Sequence, residues 1–172
     1  TTFEFTENGL DATVTKEDSN SITSGRIARA SMITGAEYAG ELKCEAKYSP
    51  LVQDLMAAAA FNNWSSNVLT FGGTLRQTFS VLRGFDDVND YHVFRGCHVN
   101  TFGIDIPEAG LITMTFGLMA LGRTNFSTAP TGTITAADNS PKLSNVSVGD
   151  ILIDGVSQAG ISCLTAFTFN WD

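Results

Sequence analysis

The sequence predicts a mainly β fold, a β-sandwich or half-barrel sheet, with one flanking α-helix. Three observations predict it. Polar and apolar residues alternate with period two over two long stretches, 36–48 and 91–121. One stretch alone, about 50–61, changes to helical spacing. Clusters of Gly, Pro, Asn, Thr and Ser punctuate the shorter apolar runs between and after them.

Residues 2–6 read as a short N-terminal strand. The segment KEDSNSITSGRIARASMITG (16–35) is irregular and too long for an ordinary hairpin loop, a length usually reserved for contacts or mobility. Its mixed basic and apolar set, Arg26, Ile27, Arg29, Met32 and Ile33, suits docking on a partner. In AEYAGELKCEAKY (36–48), Tyr38, Leu42, Cys44, Ala46 and Tyr48 fall on one face of a strand. Glu37, Glu41, Lys43, Glu45 and Lys47 fall on the other, so one face is predicted buried and one wet. Ser49 can cap the helix that follows, and Pro50 suits its first turn. Leu51, Leu55, Ala58 and Ala59 recur at helical spacing, widened by Val52, Met56 and Ala60. This helix should pack on the sheet.

Beyond it, 67–71 and 75–82 read as two strands joined through Gly72 and Gly73, and FDDVND (85–90) as a polar turn. In 91–106, Tyr91, Val93, Cys97 and Val99 share a face, and Phe102, Ile104 and Ile106 continue with the parity switched. A bulge near Asn100 and Thr101 restores the core face. PEAG (107–110) is a tight turn, and 111–121 returns with Ile112, Met114, Phe116 and Leu118 inward, completing a long antiparallel hairpin. Residues 122–141 read as loop, and 146–153 and 161–171 as further strands. The chain begins without Met and its last strand runs to Asp172 without terminal punctuation, so a longer protein is the expectation.

Chemistry is sparse. The net charge of −8 opposes tight DNA or RNA binding, which needs clustered Lys and Arg. Cys44, Cys97 and Cys163 are odd in number and lack a CxxC pair, which fits buried thiols better than a disulfide framework or a zinc site. His92 and His98 fall on one face of their predicted strand, with no further ligand at a recognisable metal spacing. Asp86, Asp87 and Asp90 lack the downstream Glu of a calcium loop and read as a solvated turn. No nucleophile elbow or phosphate-binding glycine motif occurs. No catalytic residue, metal or cofactor is therefore predicted.

The ordered pieces resemble a known family. SNSITSGRIARASMITGAEYAGELKCEAKYSPLVQDLMAAAAFNNW (19–64) is similar to the opening of the phage tail tube proteins of long, non-contractile tails: a Ser-rich, Arg-containing loop, a strand, a Pro-initiated helix and a Trp. YHVFRGCHVNTFGIDIPEAGLITMTFGLMALG (91–122) is similar to the family's later hairpin. The resemblance implies a tail-tube fold over 1–141, with 16–35 as an inter-ring contact loop. It implies closing strands over 142–172, where GVSQAGISCLTAFTFNWD (155–172) resembles the opening of a second, duplicated tube domain. The implied role is structural: rings, hexameric or trimeric with pseudo-six-fold symmetry, stack around a lumen that holds the tape-measure protein and conducts DNA without specific binding. Tail terminator and tail-tip proteins are the implied partners, with assembly in the host bacterial cytoplasm and residence in the virion, and no membrane. Glu37, Glu41, Glu45 and Asp105, with Thr113 and Thr115, are the candidate lumen-facing residues. Competing readings are the inner tube of a contractile injection or type VI secretion machine, a β-sandwich binding module and an enzyme on a β scaffold.

Overall fold

A computed structural model of the chain describes residues 1–19, 30–149, 152–153, 155–157 and 166–171. The strands are β1 (Glu7–Asn8), β2 (Asp11–Glu17), β3 (Met32–Glu45), β4 (Phe79–Phe85), β5 (Asp90–Ile106), β6 (Thr113–Ala120), β7 (Gly122–Phe126), β8 (Leu152–Ile153), β9 (Val156–Ser157) and β10 (Phe167–Trp171). One helix, α1 (Pro50–Ala60), and a 3-10 turn (Asn145–Ser147) complete the described elements. Eight strands join in one open antiparallel sheet, and β8 and β9 pair separately.

The sheet has a simple plan. β1 and β2 share one side of β3, and β6 pairs with its other side. β5 pairs along one edge with β6 and then β7, and along its other edge with β10 and then β4. α1 packs against β5. Val52, Leu55, Ala58 and Ala59 of the helix join Leu42, Cys44, Phe94, Cys97, Val99, Phe102, Met114, Phe116 and Leu118 in one core. The alanine run gives the helix a thin face, which lets it lie close to the sheet.

The expected helix forms, with Ser49 as an extended N-cap residue and Phe61 in the left-handed region at its end. Gly73 donates its N–H to the Ala60 carbonyl, and Leu75 donates to that of Phe61. Those bonds satisfy carbonyls that a helix end leaves free. They also explain why 67–71 and the residues before Phe79 do not form the predicted hairpin: the segment is tied to the helix end, and strand structure begins only at β4.

The bulge predicted in the long strand is present, as a register shift between Val99 and Thr101 against β6. A second one was not visible in the pattern. Between Phe94 and Cys97 β5 gains a residue relative to β4, and Gly96 takes a φ of 63° there, a conformation glycine adopts without strain. Phe94 is consequently fully buried in the first half of the strand, where Val93 is only half-buried.

Other boundaries move for local reasons. Residues 2–6 are not a strand; pairing with β3 falls to β1 and β2, on either side of a kink that turns Leu10 into the core. β3 ends at Glu45, so the alternation fails beyond it. Tyr48 is 72% exposed and Lys47 is buried, the reverse of the expectation. Here 142–143 pairs with 46–47, Leu143 donating to the Ala46 carbonyl. Residues 122–126 read as loop by composition, yet they form β7, because the first half of β5 presents a free edge to them. Of the strand expected over 146–153, the described residues form a 3-10 turn and the two residues of β8, while 150 and 151 lie outside the described residues. That expected over 161–171 is strand at Phe167–Trp171, while 158–165, including Cys163, lie outside the described residues.

Phe116 is fully buried at the centre of the sheet. Phe116→Ala is expected to lower unfolding free energy by about 3–5 kcal/mol in urea titration. Tyr48→Ala, at a position the alternation placed inside, is expected to change it by less than about 0.5 kcal/mol.

Candidate functional site

Strand side chains alternate, so the register fixes which residues share the face turned away from the core. Three polar rows cross that face. Glu45, Thr113, Asp105 and Thr168 are successive partners on β3, β6, β5 and β10. Glu7, Lys43, Thr115, Gly103 and Asn170 form the next row. Glu41, Gly117 and Thr101 form the third. Glu37 extends the face along β3, opposite Thr13.

The structure thus brings Glu37, Glu41, Glu45 and Asp105 onto one face. Glu37, Glu41 and Asp105 are exposed and Glu45 is half-buried. Sequence reasoning missed Glu7, Thr13, Thr168 and Asn170 on the same surface. The alternation in FTFNW already carried the last two, but only the pairing with β5 assigns their face.

The face is an ordered polar lattice. Thr168 Oγ1 donates to Asp105 Oδ1 at 2.7 Å. Lys43 Nζ stands 2.8 Å from Glu7 Oε2 and 3.9 Å from Glu41 Oε2. The hydrogen bond to Glu7 and that carboxylate's charge raise the Lys43 pKa, so the ammonium is fixed as a cation. Lys47, expected on this face, is instead withdrawn from it. Its ammonium donates to Glu4 Oε2 at 3.0 Å and to the Asp138 carbonyl at 2.7 Å. Carboxylates therefore outnumber ammonium groups on the outward face.

Of the expected contact residues, Arg26, Ile27 and Arg29 lie outside the described residues. Met32 and Ile33 are not loop residues. They begin β3 and pair with Glu17 and Lys16 of β2, so the predicted loop 16–35 is shortened from both ends by a hairpin.

Two further charge clusters tie the N-terminal residues down, the first reaching the edge of this face through Lys142, 3.5 Å from Glu45 Oε2. Glu4 accepts from Lys47 and from Lys142, the latter at 2.6 Å, and so holds the N-terminal segment against the body. Those hydrogen bonds, first from Lys142 and then from Lys47, hold the Glu4 carboxyl at about 2. At the other end Asp11 meets Arg123 at 2.9 Å and Arg83 at 3.5 Å. The Ala12 backbone N–H, with the two guanidinium groups, lowers the Asp11 pKa. Arg83 also donates to the Leu10 carbonyl and contacts His92 Nδ1, while His92 Nε2 lies 3.0 Å from Asp90 Oδ2. The extra residue near Gly96 puts His92 and His98 on opposite faces, contrary to the single face expected from alternation. Among the described residues no three His, Cys, Asp or Glu side chains group as metal ligands. Cys44 and Cys97 are buried free thiols, and burial pushes that of Cys44 up to about 11.

The described residues form an open sheet with one helix on its apolar face and a charged lattice on the other, a broad surface open to contact. Comparison with known families decides what kind. The model of the phage tail tube protein family matches residues 1–172, the whole chain. The chain belongs to that family. No curated protein matches it. The tube subunit is accordingly a structural protein of the virion and not an enzyme, and self-assembly into a tube is the family's mode of action. The mainly β fold, with a single short helix among the described residues, agrees with that assignment.

Glu4 gives a pH prediction. Its carboxyl falls from an ordinary 4.5 to about 2 in the fold, so its stabilising effect is complete above pH 4.5 and is lost as pH falls from there through about 2. The stability difference between wild type and Glu4→Gln, read by thermal melts, is expected to be constant from pH 7 to 5 and to shrink steadily below 4.5.

Proposed function

We propose that copies of this subunit close into rings that stack as the tail tube, with the carboxylate-bearing face of the sheet turned to the lumen. The observation that carries this reading is the polar lattice itself. It runs unbroken across β3, β6, β5 and β10, directly behind a fully apolar core face. Such a wall suits a passage. Threonines and paired charges keep it wet, and excess carboxylate repels phosphate over a Debye length of about 8–10 Å, so a passing duplex does not adhere. Glu37, Glu41, Glu45 and Asp105 are the lumen residues in this reading.

The tape-measure protein occupies the lumen during assembly in the host cytoplasm, and DNA passes through it at ejection. Tail terminator and tip proteins close the two ends. Arg26, Ile27, Arg29, Met32 and Ile33 serve contact between stacked rings, their basic and apolar character complementing a subunit of net charge −8.

Electron microscopy of the purified protein is expected to display stacked rings with a central channel; a protein that stays monomeric at high concentration overturns the reading. Phage carrying Glu41→Lys with Asp105→Lys are expected to build tubes of normal dimensions but to eject DNA several-fold more slowly. Unchanged ejection sinks the lumen assignment. Arg26→Glu with Arg29→Glu is expected to leave the circular dichroism spectrum intact and to reduce tube length, and wild-type tubes from this variant refute the stacking role.

A further inference from the structure

The core face of β5 ends on a chain of polar groups. Two and four residues before Phe94, the same face of the strand carries His92 and Asp90, and Arg83 stands across from His92 on β4. His92 is buried, and its imidazole meets one group at each nitrogen. Arg83 Nη2 lies 3.2 Å from Nδ1, and Asp90 Oδ2 lies 3.0 Å from Nε2. A guanidinium has only donors to offer. Nδ1 is therefore the acceptor in that contact, and the ring hydrogen sits on Nε2, where it is donated to Asp90.

The guanidinium that leans on His92 also holds the kink between β1 and β2. Arg83 Nη1 donates to the Leu10 carbonyl at 2.7 Å, and Leu10 is 1% exposed. A buried carbonyl left without its donor is destabilising. Arg83 Nη2 is shared between His92 and Asp11, whose Oδ1 is 3.5 Å away. The guanidinium carbon lies 5.3 Å and 5.8 Å from the ring centroids of Phe85 and Phe94. Arg83 Nε is buried with no acceptor among the described residues. The polar hold on Arg83 thus runs through its two terminal nitrogens, and His92 supplies part of it.

We propose that His92 is a proton-operated switch on the anchorage of the N-terminal strands. Neutral, it accepts from Arg83 and keeps the guanidinium on the Leu10 carbonyl. Protonated, its Nδ1 becomes a donor aimed at a donor, Arg83 is turned away, and the tie to Leu10 opens. The charges around the ring stand opposed. Asp90 on its own strand and Asp11 on β2 favour the imidazolium, whereas Arg83 on β4 and Arg123 on β7, which meets Asp11 at 2.9 Å, oppose it. Its other neighbours, the Phe85 ring at 5.9 Å and Asn125 across from it on β7, carry no charge. With charge so divided, the clash of donors at Nδ1 decides. The closed tie has no room for a proton there and the open form does, so the tie weakens as pH falls. Histidine is the side chain that ordinarily changes charge between about pH 8 and about pH 5. Glu4 and Asp11, whose carboxyl pKa values are lowered in the fold, stay ionised over that interval. The switch lies within one subunit and is independent of how subunits assemble.

Hydrogen–deuterium exchange of the full chain, read by mass spectrometry and corrected for the intrinsic pH dependence of exchange, tests the switch. Peptides spanning β1 and β2 are expected to lose protection several-fold between about pH 7.5 and about pH 5.5, while those spanning β6 do not. His92→Gln keeps an acceptor for Arg83 and a donor for Asp90 but takes up no proton. Its protection over β1 and β2 is expected to stay constant across the same interval. Wild-type protection that does not change with pH, or an equal loss in His92→Gln, overturns the proposal. Nitrogen-15 NMR of the wild-type imidazole serves if His92→Gln fails to fold. Hydrogen on Nε2 at about pH 7.5, with both nitrogens protonated where protection is lost, sustains the switch. Hydrogen on Nδ1 at about pH 7.5 overturns it.

Discussion

Strand β5 is hydrogen-bonded along both edges through most of its 17 residues, and the remaining architecture follows from that constraint. A strand so long cannot stay in register with one partner on each side as the sheet twists. It changes partners instead, from β7 to β6 on one edge and from β4 to β10 on the other. The changes coincide with its two bulges. Each bulge resets the alternation, so that Phe94, Cys97, Val99 and Phe102 all reach the core despite spacings of three, two and three. Without those insertions half the strand would present its apolar residues to water.

The bulges also divide the outer surface. Below them the outward positions are Thr101, Gly103 and Asp105, matched by Thr115, Thr113 and Glu45 on neighbouring strands; above them they are Val93 and its partners Leu82 and Thr124. One strand thus carries a polar and an apolar zone on the same side of one sheet. In the reading proposed above, the polar zone is the part turned to the lumen, where a surface that resists adhesion is favoured. The aromatic group of Phe71, Phe102, Phe169 and Trp171 secures β10 at the polar end, so the polar face extends one strand further than β5 itself.

Two ionic clusters hold the N-terminal residues to this frame. Glu4 compensates Lys47, whose side chain is nearly inaccessible, and Asp11 ties β2 to β4 and β7 through Arg83 and Arg123. A buried ammonium needs such a partner, because the cost of desolvating an unpaired charge is several kcal/mol. The sequence carries a charge balance of −8, but only the fold reveals that several of its few cations are already committed inside the subunit. The surface left over is more acidic than composition implies.

The sequence by itself determined the elements whose signals are local: the alternation of β3, β5 and β6, the Ser49 and Pro50 start of α1, and the bulge at Asn100 and Thr101, where parity visibly switches. It also placed Glu37, Glu41 and Glu45 on one strand face, and resemblance over 19–122 named the family that the whole-chain match bears out. Tertiary structure decided what depends on a distant partner. β7 has no strand signal of its own and exists because β5 offers it an edge. The hairpin expected at Gly72 and Gly73 is lost to the helix end that claims its N–H groups. Lys47 leaves the wet face for Glu4, and Met32 and Ile33 leave the loop for a ribbon. Periodicity reports which face of a residue's own strand it occupies. It holds no information about which other segment supplies the hydrogen bonds or the counter-charge, and those pairings are made only when the chain closes on itself.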